Sequence, residues 1–146
     1  MIQSATAIQL PFWQDPQSPL TVALCKGSCQ VFFGILDEAD DEIADSLGKI
    51  TFRCWATRTV GMDLLPYSTN EHTFHSFVLE VPNSPLLSAL SQTRLNIYPK
   101  WKDWDKSIYH HYVVVGADSY LEVLAEGFTA ELATAEELQR YSFLHE

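Results

Sequence analysis

The chain has 146 residues, of which 47% are hydrophobic, 12% aromatic and 19% charged. That balance excludes a disordered chain and a coiled coil, and it fits one domain with its own core. Nineteen acids against nine bases leave a net charge of −10. Such a charge argues against a binder of nucleic-acid backbones or anionic membranes, since both need a basic face.

In chain order, the N-terminal MIQSATAIQL lacks the basic and long apolar regions of a secretory signal, and no later run is long enough for a membrane-spanning helix. Residues 1–19 contain Pro11, Pro16 and Pro19 and read as an irregular lead-in whose Phe12 and Trp13 pack on the domain. Segments 20–25 and 29–36 are rich in β-branched and aromatic residues and flank a glycine-containing turn, which marks a hairpin. Cys25 and Cys29 sit beside that turn. A bridge between them is geometrically possible, but an odd cysteine count (Cys54 is the third) without a signal reads as reduced, structural thiols in the cytoplasm. A zinc site would need two more ligands, and there is no second cysteine pair. Asp37, Glu38, Asp40, Asp41, Glu42 and Asp45 follow, and residues 37–48 read as a solvated acidic loop. The glycine and terminal glutamate of a calcium-binding loop are missing from it.

Residues 49–60 alternate cleanly. Ile50, Phe52, Cys54 and Ala56 fall on one face and Lys49, Thr51, Arg53 and Thr57 on the other, as in a half-buried strand. A loop over 61–70 leads to a strand over 73–81 whose apolar residues on both faces suggest a central position. Asn83-Ser84-Pro85 is a helix start, with a polar cap and then proline where its missing N–H costs nothing. The helix is expected to end near Thr93, before a loop over 96–106. Segments 108–115 and 120–128 flank Gly116-Ala117-Asp118-Ser119 and form the clearest hairpin in the chain. Thr134 and Glu137 have the spacing of a capping box, so a short helix follows with Leu138 and Tyr141 on its apolar side. About six strands, two short helices and hairpin-like connections predict a mainly antiparallel β fold, a sandwich or open barrel. The alternative is α+β. Residues 1–146 are read as a single domain.

Glycine-rich phosphate loops, the G-x-S-x-G elbow and the H-E-x-x-H zinc motif are absent. Two places remain. If the turn sets the register so that Val115 opposes Tyr120, then His110, Tyr112 and Val114 share an apolar face with Leu121, Val123 and Ala125. Tyr109, His111 and Val113 share the other face with Glu122, Leu124 and Glu126. His111 then opposes Leu124 and lies diagonal to both glutamates, within reach of a long side chain. A carboxylate beside an imidazole is a common way to orient a general base, so His111, Glu122 and Tyr109 are the candidate catalytic residues. The plainer alternative is an exposed cross-strand ladder. His72 and His75, like His110 and His111, would place their members on opposite strand faces, so neither pair chelates a metal by itself. No metal or cofactor is expected on this reading, although a composite site from separate strands stays open.

The second place is segment 94–112, where Arg94, Lys100, Lys102 and Lys106 alternate with Tyr98, Trp101, Trp104, Tyr109 and Tyr112. Trp, Tyr and Arg dominate interface hot spots. The plainer alternative has the tryptophans folded onto the core while the lysines stay wet. Trp101, Trp104, Lys100, Lys102 and Tyr98 are therefore the expected binding residues. The function expected first is a non-catalytic cytoplasmic protein-interaction module, adaptor-like or inhibitor-like, self-association included. The alternative is a small β-barrel enzyme or ligand-binding protein with a His/Glu/Tyr pocket, with or without a metal.

Overall fold

Both hairpins read from their turn residues are present in the computed structural model, which describes residues 3–36, 43–68 and 78–141. In the first, β4 (Thr21–Cys25) and β5 (Ser28–Leu36) join through a turn in which Gly27 takes a φ of 72°, a conformation that glycine adopts at no steric cost. Cys25 opposes Ser28 and Leu24 opposes Cys29, so the two cysteines do not face each other. Cys25 is exposed and Cys29 is buried, and both are free thiols. Burial pushes the Cys29 thiol up to about 12, which leaves it inert at neutral pH.

β6 runs over Ile43–Gly61 and pairs with β5 on one side and β10 (Ser119–Leu132) on the other. The expected acidic loop is therefore shorter than 37–48. Residues 43–48 are strand, with Ile43 opposite Leu36 and Gly48 opposite Phe33. A β-carbon at Gly48 would lie 2.6 Å from ring atoms of both Phe12 and Phe33, so close ring packing requires glycine there. The acids at 37–42 lie outside the described residues.

β8 (Val78–Glu80) pairs with β9 (His110–Val115), and β9 with β10. The expected strand over 73–81 is seen only in this last part, because 69–77 fall outside the described residues. The lead-in departs most from expectation. It contributes β1 (Gln3–Ser4), β2 (Thr6–Ala7) and β3 (Trp13–Gln14), each two residues long. β2 pairs with β8 and β3 with β5, which gives an open eight-stranded antiparallel sheet in the order β2-β8-β9-β10-β6-β5-β3, with β4 also on β5. Both ends of that order belong to one short segment. Six residue steps separate Ala7 from Trp13, a reach of at most about 20 Å. The sheet must therefore curl until its two margins nearly meet. Leu10 and Phe12, carried across the gap, are buried with Val31, Phe33, Ile50, Phe52, Val114, Leu121 and Val123 in the main core.

The outer face carries a second cluster of Val113, Tyr120, Leu79, Val81 and Ala5. It is packed by the segment ending in β7 (Tyr67–Ser68), which pairs in parallel with β1. Helix α1 (Pro85–Ile97) starts at its Ser84 cap as expected and continues past Thr93. Nothing between Arg94 and Ile97 breaks it, and Tyr98, disfavoured in a helix by the following Pro99, ends it. A single turn, α2 (Trp101–Trp104), interrupts the expected loop. In α3 (Ala135–Tyr141) the capping box closes as read: Thr134 N–H donates to Glu137 Oε1 at 2.9 Å and Glu137 N–H to Thr134 Oγ1 at 3.1 Å. Its Tyr141 ring packs on Phe32, with centroids 4.5 Å apart. Among the described residues no helix is long and apolar enough to cross a membrane.

Candidate functional site: a buried polar relay beside a groove

The register of the second hairpin puts Val115 opposite Tyr120 and His111 opposite Leu124, so His111 and Glu122 are diagonal neighbours on the outer face. They are not an exposed ladder. His111 and Glu122 are each 1% exposed, and His111 Nε2 lies 3.3 Å from Glu122 Oε1.

Three further side chains complete the cluster. Arg58 of β6 lies directly across from Glu122 in the sheet. It grips Oε2 with two N–H groups, Nε at 2.5 Å and one terminal nitrogen. Tyr67 of β7 donates its hydroxyl to Glu122 Oε1 and sits 3.5 Å from His111 Nε2. Ser84 Oγ lies 2.6 Å from His111 Nδ1 and also accepts the N–H of Leu87 at 3.0 Å as the cap of α1. Glu122 Oε1 can only accept, so the ring proton is assigned to His111 Nε2, which donates to it, and Nδ1 takes the hydroxyl proton of Ser84. Burial alone would push the Glu122 carboxyl up, but the bonds from His111, Tyr67 and Arg58 outweigh it and hold the group at about 2. The Tyr67 phenol moves the other way, pushed well up by burial and by the carboxylate it touches.

Glu122 is reached by four hydrogen-bond donors: Tyr67, His111 and two from Arg58. A carboxylate has about four lone-pair positions, so this one is saturated. The cluster is a relay from the α1 cap to the sheet in which each polar side-chain atom of Ser84, His111, Tyr67 and Glu122 has a partner. Arg58 stands at its margin, with a side chain 55% exposed.

How Arg58 comes to this face is decided by a β-bulge. Leu124 opposes Ala56 but Ala125 opposes Cys54, which leaves Trp55 as an extra residue in β6. The bulge breaks the alternation read from the sequence. Cys54 stays against the main core, whereas Ala56 and Arg58 move to the outer face beside Leu124 and Glu122. There a groove of 390 Å³ opens between α1 and the sheet, lined by Ala56, Thr57, Arg58, Leu86, Leu90, Glu122 and Leu124.

Tyr109 does not join the relay. Its hydroxyl donates to Asp105 at 2.7 Å and its ring stacks on the bulged Trp55 with centroids 5.0 Å apart. His110 points to the opposite face, 4.0 Å from Glu80. His72 and His75 lie outside the described residues. Among the described residues no group of three or more His, Cys, Asp or Glu side chains is placed to hold a metal ion.

The aromatic-basic segment is organised around Arg94. Its guanidinium carbon lies 4.3 Å from the Trp101 ring centre, 5.0 Å from Trp55 and 5.1 Å from Trp104, and it pairs with Asp105 at 2.8 Å. Hydrogen bonds from Tyr109 and the Ser107 backbone hold the Asp105 carboxyl at about 2. Trp101 is buried, so it forms the platform of the patch and not its surface. Lys100 and Lys102 are exposed, and Lys102 Nζ lies 5.7 Å from the Trp101 ring centre. Trp104 is 63% exposed and Tyr98 57%, in an edge-to-face pair with centroids 6.3 Å apart. Ile97 and Ile108 are exposed on the same stretch of chain.

No known family, curated protein or solved structure matches this chain.

Arg58 and Tyr67 were not among the sequence candidates. Arg58 was hidden by the bulge, and Tyr67 arrives from a loop with no local signal. Ser84 was visible only as a helix cap.

Proposed function

We propose that the chain is a non-catalytic interaction domain that docks a protein surface on the exposed Tyr98–Trp104 pair, with the exposed Ile97 and Ile108 of the same stretch of chain beside it in sequence. One observation carries the reading: Trp104 and Tyr98 stand in water as a ring pair, and Trp104 is held by the Arg94 guanidinium, itself paired with Asp105. Aromatic anchors presented without loss of side-chain freedom are what hot spots require. Lys100, Lys102 and Lys106 surround them and favour an acidic partner, which a second copy of this −10 chain supplies. The relay supports binding over proton transfer, because its imidazole is sealed from solvent and its carboxylate is fully engaged.

Light scattering after size exclusion tests this. The wild type is expected at twice its 16.5 kDa mass at low salt, and folded Trp104→Ala at the single mass. Dissociation by salt is expected as well. Trp101→Ala is the contrast, since it removes the buried platform and lowers stability together with association. A wild type that stays at the single mass at every concentration refutes self-association.

A further inference from the structure

We propose that the groove between α1 and the sheet is a binding site for a small amphipathic carboxylate, with its carboxylate on Arg58 and its apolar body between α1 and β10. The volume, 390 Å³, falls at the lower end of the range of small-molecule pockets. Its walls are apolar. Leu86 and Leu90 are four residues apart, hence on one face of α1, and they look across at Ala56 and Leu124.

The polar end is asymmetric in a way that selects the head group. Glu122 lines the groove, but its four acceptor positions are taken by Tyr67, His111 and Arg58, so it has none to give a ligand that donates. Arg58 has five N–H donors and spends two on Glu122. No other described residue takes the remaining three, and the side chain is 55% exposed. Among the charged side chains that line the groove, Arg58 alone has bonds to offer, and all of them are donors; the one other polar side chain there is Thr57. The complement of Arg58 is a head group that only accepts, and the fork of a guanidinium fits a carboxylate with two parallel bonds. A body of roughly eight carbons fits within a pocket of this size.

The Glu122 carboxylate also holds the guanidinium in place. It fixes one edge of the Arg58 fork, so the other edge is presented without loss of side-chain freedom on binding.

Octanoate, used well below its micellar concentration, is the probe and 1-octanol its matched control, each titrated calorimetrically into the full chain. Octanoate is expected to bind once per chain, about tenfold or more tightly than octanol, because a hydrogen bond to a charged group separates them. Arg58→Gln should abolish that preference. Leu90→Trp fills the groove away from the relay and should abolish binding of both, with circular dichroism confirming the fold. If Arg58→Gln fails to fold, Arg58→Lys keeps the charge without the fork and should cut the preference severalfold. Equal binding of octanoate and octanol overturns the carboxylate assignment. Octanoate binding that survives Leu90→Trp, or no saturable binding at all, overturns the site.

Discussion

Replacing Glu122 by glutamine keeps the shape of the side chain and removes its charge. Four donors now face one carbonyl oxygen and one NH2 group, so at least two of them meet a donor in place of an acceptor. Removing one member of a buried ion pair costs about 3–5 kcal/mol. Arg58 is more than half exposed and can rehydrate, which lowers the figure to roughly 2–4 kcal/mol. Linkage gives a similar value. A carboxyl held at about 2 in the folded chain, against an ordinary 4.5, corresponds to about 3 kcal/mol at neutral pH. The sign follows from the depressed value. The stabilisation is nearly complete above pH 4.5 and is lost as pH falls through 2, below which both folded and unfolded chains are protonated. Urea unfolding followed by circular dichroism, wild type beside Glu122→Gln, should show a gap of about 3 kcal/mol at pH 7 that shrinks steadily below pH 4.5. A gap under about 1 kcal/mol at pH 7, or one that does not change with pH, would refute the relay as a buried, charge-centred network.

Three further outcomes follow from the same geometry. Ser84→Ala removes the α1 cap and strands His111 Nδ1 in a buried site, so it should cost roughly 2–4 kcal/mol in urea unfolding, more than a cap alone. Gly48→Ala forces a methyl group against the Phe12 and Phe33 rings and should lose about 1–3 kcal/mol by thermal melting, although alanine is otherwise the better residue in a strand. Thr134→Ala opens the reciprocal cap of α3 and should cost about 1 kcal/mol, with faster amide exchange confined to 135–141.

What could be read in advance was what depends on neighbours in sequence. Turn residues placed the β9–β10 hairpin in its true register, and from that alone His111 and Glu122 were brought together. The caps of α1 and α3 were legible for the same reason. Where the reading failed, the deciding contact was distant. Two-residue strands such as β2 and β3 are too short to show alternation, and the prolines around them suggested irregularity. The extra residue at Trp55 reverses the strand faces beyond it, and no residue type at that position announces a bulge. Tyr67 reaches Glu122 across 55 positions of sequence, a contact set by how the outer face is covered.

The single segment that supplies both limits of the sheet also orders events in time. β2 must find a partner some 70 residues further along and β3 one about 20 residues along, so both pairings are long-range. Until they form, the outer N–H and C=O rows of β8 and of the β3-paired end of β5 stand open, ready to pair with another chain. Once the segment is seated, those rows are covered by strands too short to serve as templates themselves. The fold is thus most exposed to aggregation while it is being made, and least once the N-terminal segment has closed across it.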